Sequence, residues 1–181
     1  MKNIIGAGIC TILLALAAAP AQAEREWSHK DWRAHQADNG RCAIWTGGDG
    51  DGTITISMDP GGYNASADYI PVWARSEAMP LEFNDYIVIT IDGEESWLSE
   101  ETGVLEGTNE WGEYYRAASM TGGLVPEFIN MLRPADRLNF AIQRGAEDPL
   151  TYDSFSLAGF TAALMKTAEW CKFNPKLMPG S

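Results

Sequence analysis

The sequence predicts a small, mostly β, α+β fold: an antiparallel β-sandwich or half-barrel with two helices packed on it. Three observations predict this fold. Polar and apolar side chains alternate strictly from Thr53 to Met58, which is the period of a half-buried strand. Clusters of glycine, aspartate and asparagine provide the tight turns that antiparallel strands need. Apolar residues recur at helical spacing in two segments, Thr121 to Leu132 and Ser156 to Lys172.

The predicted strands follow one another at short intervals. Arg41 to Thr46 is the first strand of the domain, and the GGDGDG turn joins it to Thr53–Met58 as a hairpin. Residues 59–80 are rich in proline, glycine, asparagine and serine, which predicts a long surface connection or an irregular edge. We expect further strands at residues 81–91, 96–99, 103–106, 113–119, 137–144 and 152–155.

The first 23 residues have the pattern of a secretory signal peptide. Lys2 supplies the positive start, residues 4–19 form a short apolar run, and the small residues of Pro20–Ala23 provide a cleavage site after Ala23. We therefore expect a periplasmic or secreted protein with 158 of its 181 residues in the mature chain. The mature chain divides into an N-terminal arm (24–40, with a short helix around 28–36), one globular domain (41–173) and a C-terminal tail (174–181).

The charge of the chain excludes several partners. Cleavage removes one lysine and no acid, so the net charge goes from −12 to −13. Nucleic acids and anionic lipid surfaces bind clusters of lysine and arginine, and this chain would repel them. No other apolar run reaches the length of a membrane span, so we expect no insertion of the mature chain into a membrane.

The cysteines predict one disulfide. Cys10 leaves with the signal peptide, and Cys42 and Cys171 remain as a pair in an oxidising compartment. Cys171 lies on the apolar face of the last predicted helix, and Cys42 lies on the Ile44 face of its strand. Both side chains therefore point to the same core, and the predicted bridge joins the C-terminal helix to the first long strand.

The Gly/Asp turn resembles part of a calcium-binding loop. Asp49, Asp51 and Gly52 match positions 3, 5 and 6 of an EF-hand, but glycine and methionine occupy positions 1 and 12, where carboxylates belong. Aspartate and glycine are also the residues that a tight hairpin needs. The turn is thus interpreted first as a hairpin, with Asp49 and Asp51 as a weak calcium candidate and no other metal site or cofactor expected.

The stretch from Glu94 to Glu113 is the best candidate binding surface. It contains seven glutamates and two tryptophans but no lysine or arginine. Aromatic side chains within an acidic surface are suited to docking a basic partner. The interpretation favoured from the sequence is nevertheless a solvated hairpin face whose tryptophans pack on the core. The candidate residues are Glu94, Glu95, Trp97, Glu100, Glu101, Glu106, Glu110, Trp111 and Glu113.

The sequence shows no catalytic constellation. Its two histidines, His29 and His35, lie in the polar arm, and neither a nucleophile elbow, a zinc-protease motif nor a phosphate-binding loop is present. Pairs of carboxylates roughly 5 to 9 Å apart beside an exposed tryptophan would still suit glycoside hydrolysis. No catalytic residue is therefore assigned.

Three segments resemble the invasion-associated locus B family and related small periplasmic proteins. They are Asn39–Ala43, Asp136–Phe140 and above all the helix segment Phe155–Leu164, with the sequence FSLAGFTAAL. The chain lacks the additional cysteine pair associated with that family. The resemblance implies a β-sandwich-like periplasmic or outer-membrane-associated protein linked to host-cell invasion, with no catalytic residues to carry over.

Together these observations favour an exported, envelope-associated, non-enzymatic binding module that acts through contacts with a protein partner in the cell envelope. The alternative is a hydrolase of an envelope glycan or a carbohydrate-binding protein.

Overall fold

The computed structural model describes residues 24–71, 81–108, 114–120 and 122–177. The predicted signal peptide (1–23) and the end of the predicted tail (178–181) lie outside these ranges. The described ranges contain two α-helices, α1 (Val125–Leu132) and α2 (Phe160–Cys171), and two 3₁₀ helices at Pro60–Gly62 and Trp97–Glu101. The strands within them are β1 (Arg25–His29), β2 (Trp32–Gln36), β3 (Cys42–Gly47), β4 (Thr53–Met58), β5 (Ser66–Ile70), β6 (Tyr86–Ile91), β7 (Glu94–Glu95), β8 (Gly103–Thr108), β9 (Tyr114–Met120), β10 (Arg137–Gln143) and β11 (Leu150–Ser156).

The strands form two antiparallel sheets, which confirms the predicted mostly β fold with two helices. The larger sheet has the order β1-β2-β3-β4-β5-β9-β8, and the smaller has the order β11-β10-β6-β7. The β3–β4 hairpin pairs Ile44 with Ile56, as expected for strands joined by the Gly/Asp turn. None of the described helices is long and apolar enough to cross a membrane.

The core lies between the two sheets and follows from the alternation along each strand. Ile54, Ile56 and Met58 of β4 are at most 1% exposed. Burying each such side chain stabilises the fold by about 1.5 to 3 kcal/mol. From the smaller sheet, Phe140 stacks on Tyr69 of the larger sheet with ring centroids 4.3 Å apart. This aromatic contact joins the two sheets at the level of β5 and β10.

The predicted disulfide is confirmed. Cys42 and Cys171 are bonded, with their Cα atoms 6.2 Å apart, and the bridge links β3 to the last residue of α2. Helix α2 begins at Phe160 rather than at Ser156, because β11 continues to Ser156. Gly159 precedes the helix with φ of 99°, and a side chain there would collide with the backbone carbonyl of His29. The glycine thus permits close approach of the β1–β2 turn to the start of α2.

The short helix predicted around residues 28–36 is wrong, because this segment forms β1 and β2. Lys30, with φ of 52°, lies in the tight turn between the two strands. Trp32 and Ala34 are fully buried, whereas Arg33 is exposed. This inward and outward alternation has the period of a strand, and pairing with β3 decides the structure.

Three other expectations differ from the structure. The surface connection or irregular edge predicted over residues 59–80 contains β5, which lies inside the larger sheet between β4 and β9 and buries Tyr69. The strand predicted at 96–99 is wrong, because Trp97–Glu101 is a 3₁₀ helix with Ser96 as its cap. The strand predicted from Leu81 begins only at Tyr86. A turn precedes it, in which the Asp85 carboxylate accepts a hydrogen bond from the Glu82 N–H at 2.7 Å. Serine and aspartate bind nearby backbone groups in this way and so compete with strand pairing.

Candidate functional site

Part of the predicted binding stretch, together with Tyr86 of β6, forms an exposed patch that we call the acidic face: Tyr86, Glu94, Glu95, Trp97, Glu100 and Glu101. The β6–β7 hairpin turns at Asp92 and Gly93, both with positive φ, and presents the two glutamates of β7 at the sheet edge. The 3₁₀ helix Trp97–Glu101 follows directly and supplies the rest. The acidic face is thus a local feature of one hairpin and the turn after it.

Hydrogen bonds of the 3₁₀ helix determine which side chains point outward. The Ser96 hydroxyl accepts the Leu98 N–H at 3.2 Å, and the Ile89 N–H donates to the Ser99 hydroxyl at 2.8 Å. Leu98 and Ser99 are at most 1% exposed, so this side of the turn is fixed to the core. Trp97 lies on the other side and is 51% exposed. The expectation that Trp97 packs on the core is therefore wrong.

The glutamates of the acidic face have no salt-bridge partner in the part of the chain that the structure describes. Glu94, Glu95, Glu100 and Glu101 are exposed, and none of them forms a salt bridge with a described lysine, arginine or histidine. Tyr86 donates a long hydrogen bond of 3.4 Å to Glu95. Burial and then the negative charges of Glu95 and Glu100 raise the pKa of Tyr86 above its ordinary value. The carboxylates of Glu95 and Glu100 thus lie close enough to act on the Tyr86 hydroxyl.

Of the remaining predicted residues, only Glu106 is described, and it does not join the acidic face. Glu106 lies on β8 and forms a salt bridge with Arg116 at 2.9 Å. Arg116 also donates to the Leu81 carbonyl, so its charge is fixed beside Glu106. Glu110, Trp111 and Glu113 lie outside the described residues.

The Gly/Asp turn is a hairpin turn, as its first interpretation predicted. The Gly48 N–H donates to the Gly52 carbonyl at 2.7 Å, and Asp51 adopts a φ of 64°. Asp49 binds β11, because its Oδ1 accepts the Ser154 N–H at 2.7 Å. Among the described residues, no group of three or more histidine, cysteine, aspartate or glutamate side chains is placed to hold a metal ion. The calcium candidate thus gains no support from neighbouring ligands.

The glycines of this turn surround a buried carboxylate that the sequence analysis missed. Asp153 is 1% exposed, and its Oδ1 accepts the N–H groups of Gly50 at 2.8 Å and Gly52 at 3.1 Å. Its Oδ2 accepts the Tyr69 hydroxyl at 2.5 Å. A Cβ atom on Gly48, Gly50 or Gly52 would collide with Asp153. The turn therefore needs glycine for close approach to this carboxylate as well as for turn geometry.

Burial, then the hydrogen bond and charge of Asp153, raise the pKa of Tyr69 far above its ordinary value. The hydroxyl therefore remains protonated and donates to Asp153. The sequence contained a signal for this cluster, because Asp153 lies two residues before Phe155 in β11 and so faces the core with it. The cluster is structural, since it joins the β3–β4 turn to the smaller sheet and is closed to solvent.

A second surface feature lies where the two sheets meet, and we call it the seam groove. It has a volume of about 520 Å³ and runs between the start of β2, the end of β3 and the edge strand β11. Two arginines, two aspartates and one tryptophan provide its side-chain chemistry: Arg33, Arg137, Asp31, Asp49 and Trp45. Of these residues, the sequence pattern pointed only to Asp49, because residues from 31 to 156 meet there only after folding.

Comparisons with known proteins give one finding about the fold. No family model and no curated protein matches the chain. Among solved structures, the crystal structure of invasion associated protein B from Bartonella henselae is similar, with a TM-score of 0.54 and 14% sequence identity. The match covers 82% of this chain and 99% of the other. This chain therefore has a fold similar to that of invasion associated protein B, in agreement with the resemblance seen in the sequence.

Proposed function

We propose that the protein is an exported, envelope-associated binding module that contacts a basic protein partner through the acidic face. The observation that carries this proposal is the position of Trp97. It is 51% exposed, on a turn that the core holds in place, among four glutamates with no described cationic partner. Exposed tryptophans on a rigid support are typical centres of protein interfaces.

The charge pattern defines the chemistry of the partner. Four described arginines form salt bridges with carboxylates of this chain: Arg33, Arg41, Arg116 and Arg144. The glutamates of the acidic face have no such partner within the described residues, so their field extends into solvent. A surface with lysine or arginine would be attracted to it, and salt would weaken that attraction.

The disulfide supports an exported location for this interaction. Bonds such as Cys42–Cys171 form and persist in oxidising compartments. The predicted signal peptide would deliver the chain to such a compartment. The similarity to invasion associated protein B supports the fold of the module, and the link to host-cell invasion is a proposal that rests on that protein's name.

The test compares two variants with equal changes in charge. The first replaces Glu94, Glu95, Glu100 and Glu101 by glutamine and Trp97 by alanine. The second is a control that replaces four exposed acids elsewhere by their amides: Asp51, Glu127, Glu147 and Asp148. Each tagged protein is expressed in the cells that normally make it, crosslinked in the intact cells and purified.

We expect the wild type and the control to retain the same basic partner and the acidic-face variant to lose it. All three proteins should unfold at similar urea concentrations, because exposed side chains contribute little to stability. Retention of the partner by the acidic-face variant would contradict the proposed surface. Recovery of monomer alone from all three would contradict the proposed function.

A further inference from the structure

The seam groove has the chemistry of a ligand site and lies apart from the acidic face. Its backbone walls are the end of β3 and the edge of β11, which hydrogen bonds hold together. The Asp49 N–H donates to the Ser154 carbonyl at 3.1 Å, and the Ser154 N–H donates to the Asp49 carboxylate at 2.7 Å. The groove is thus a preformed space of about 520 Å³, within the usual range for small-molecule sites.

Arg137 presents an exposed guanidinium to the groove. It donates to the Ser154 hydroxyl at 2.7 Å, and it forms no salt bridge with any carboxylate in the described part of the chain. The Ser154 hydroxyl in turn donates to Asn139 at 2.6 Å, which fixes the direction of the contact. In a chain with 25 acids and 13 basic residues, an arginine held without a carboxylate partner is a feature that needs an explanation.

Arg33 provides a second guanidinium in the same groove. It lies over the ring of Trp45, 4.7 Å from the ring centroid, and these two residues are opposite each other on β2 and β3. Its only described salt bridge, to Glu26, is 3.5 Å long and joins two well exposed side chains. Such a pair is weak and easily exchanged for a ligand. Guanidinium groups bind planar carboxylates through paired hydrogen bonds.

The two aspartates narrow the class of ligand. One oxygen of Asp49 accepts the Ser154 N–H, and no described group donates to its other oxygen. The carboxylate of Asp31 accepts no hydrogen bond from the described residues, and its backbone carbonyl accepts the Thr46 hydroxyl at 2.6 Å. Two carboxylates repel a doubly charged anion such as phosphate more strongly than a singly charged one. They also accept hydrogen bonds from hydroxyl groups. The Trp45 ring adds an apolar contact for the C–H groups of a sugar.

We infer that the seam groove binds a sugar acid, with Arg33 and Arg137 on the carboxylate, Asp31 and Asp49 on the hydroxyls and Trp45 beside the ring. The site is independent of the proposed protein partner, because it uses other residues on another part of the molecule. Binding here requires no catalytic step.

The experiment is an NMR titration of the ¹⁵N-labelled, disulfide-bonded mature protein with glucuronate. Matched titrations use glucose, which has the same ring without the carboxylate, acetate, which has the carboxylate without the ring, and inorganic phosphate. We expect glucuronate to shift the Trp45 indole N–H signal and the amide signals of Gly47 and Gly48. Glucose and acetate should each bind at least about tenfold more weakly than glucuronate. Glucose lacks the carboxylate that the two arginines bind, and acetate lacks the hydroxyl groups that the two aspartates bind.

Two variants test whether glucuronate binds in the seam groove. Arg137→Gln should weaken glucuronate binding about tenfold or more, and Arg25→Gln, a control at the start of β1, should leave it unchanged. Glucose or acetate binding as tightly as glucuronate, phosphate binding more tightly, or no shift of these signals would each overturn the inference. Equal effects of Arg137→Gln and Arg25→Gln would also overturn it, by placing the ligand elsewhere. These outcomes leave the test of the acidic face unaffected.

Discussion

Replacing Asp153 by alanine should destabilise the protein strongly, although Asp153 is an acid in a strongly acidic chain. The carboxylate is 1% exposed and accepts three hydrogen bonds, from the N–H groups of Gly50 and Gly52 and from the Tyr69 hydroxyl. The alanine variant leaves these three buried donors without an acceptor. An unsatisfied buried donor costs about 1 to 3 kcal/mol, and partial opening of the turn to water limits the sum. We expect a loss of about 3 to 5 kcal/mol in the free energy of unfolding.

Two milder variants separate the contributions to this loss of stability. In Asp153→Asn, the amide oxygen still accepts from the glycines, but the amide N–H faces the Tyr69 hydroxyl, whose hydrogen loses its acceptor. We expect a cost of about 1 to 3 kcal/mol. Tyr69→Phe removes one donor and leaves one carboxylate oxygen unsatisfied, with a similar cost. Asp148→Ala, at an exposed position before β11, is the control and should change stability by less than about 0.5 kcal/mol.

The assay is urea unfolding of the oxidised mature protein, followed by tryptophan fluorescence, with the slope against urea compared among variants. The expected order of destabilisation is Asp153→Ala, then Asp153→Asn and Tyr69→Phe, then the control. A cost below about 1 kcal/mol for Asp153→Ala would refute the reasoning, because the three donors would then have found other acceptors.

Two further predictions concern the disulfide and the response to acid. Replacing both Cys42 and Cys171 by serine should lower the free energy of unfolding by up to about 5 kcal/mol, because the bridge closes a long loop in the unfolded chain. Urea unfolding measures this, and an unchanged midpoint would contradict it. Burial raises the pKa of Asp85, but the hydrogen bonds from Arg144 and from the Glu82 N–H, together with the charges of Arg144 and Arg116, outweigh burial and hold that pKa below its ordinary value. The charged Asp85 therefore stabilises the folded protein above the ordinary aspartate pKa, and this stabilisation is lost as pH falls through the lowered pKa. Arg144→Gln should therefore lose less stability than the wild type when the pH is lowered, as measured by urea unfolding. An equal loss in both proteins would contradict this assignment.

Elements with a strong local pattern could be predicted from the sequence. Strand β4 alternates without exception. The Cys42–Cys171 pairing could be predicted because these two cysteines remain after removal of the predicted signal peptide and both lie on core-facing sides of their elements. The hairpin β1–β2 was missed because its inward side chains include Ala34 and Gln36, which give a weak apolar signal. Pairing with β3 and packing against α2 fix this hairpin, and neither contact is visible in a local window.

The candidate site residues also differ in how far the sequence predicts them. The acidic face could be found because its glutamates and Trp97 are neighbours in sequence. The exposure of Trp97 could not be predicted from the sequence, because it depends on the 3₁₀ turn that buries Leu98. The Asp153 cluster and the seam groove unite residues about one hundred positions apart, so only the folded chain brings them together.

The most direct test of the proposed function places a photoreactive amino acid at position 97, and in a second protein at position 127 on the exposed side of α1. Both proteins are made in the cells that normally produce them and irradiated in place. We predict that position 97 forms crosslinks to one basic envelope protein, that position 127 does not, and that changing Glu94, Glu95, Glu100 and Glu101 to glutamine abolishes the crosslinks. Equal crosslinking at both positions, or crosslinks at position 97 that survive these four changes, would contradict an interaction through the acidic face.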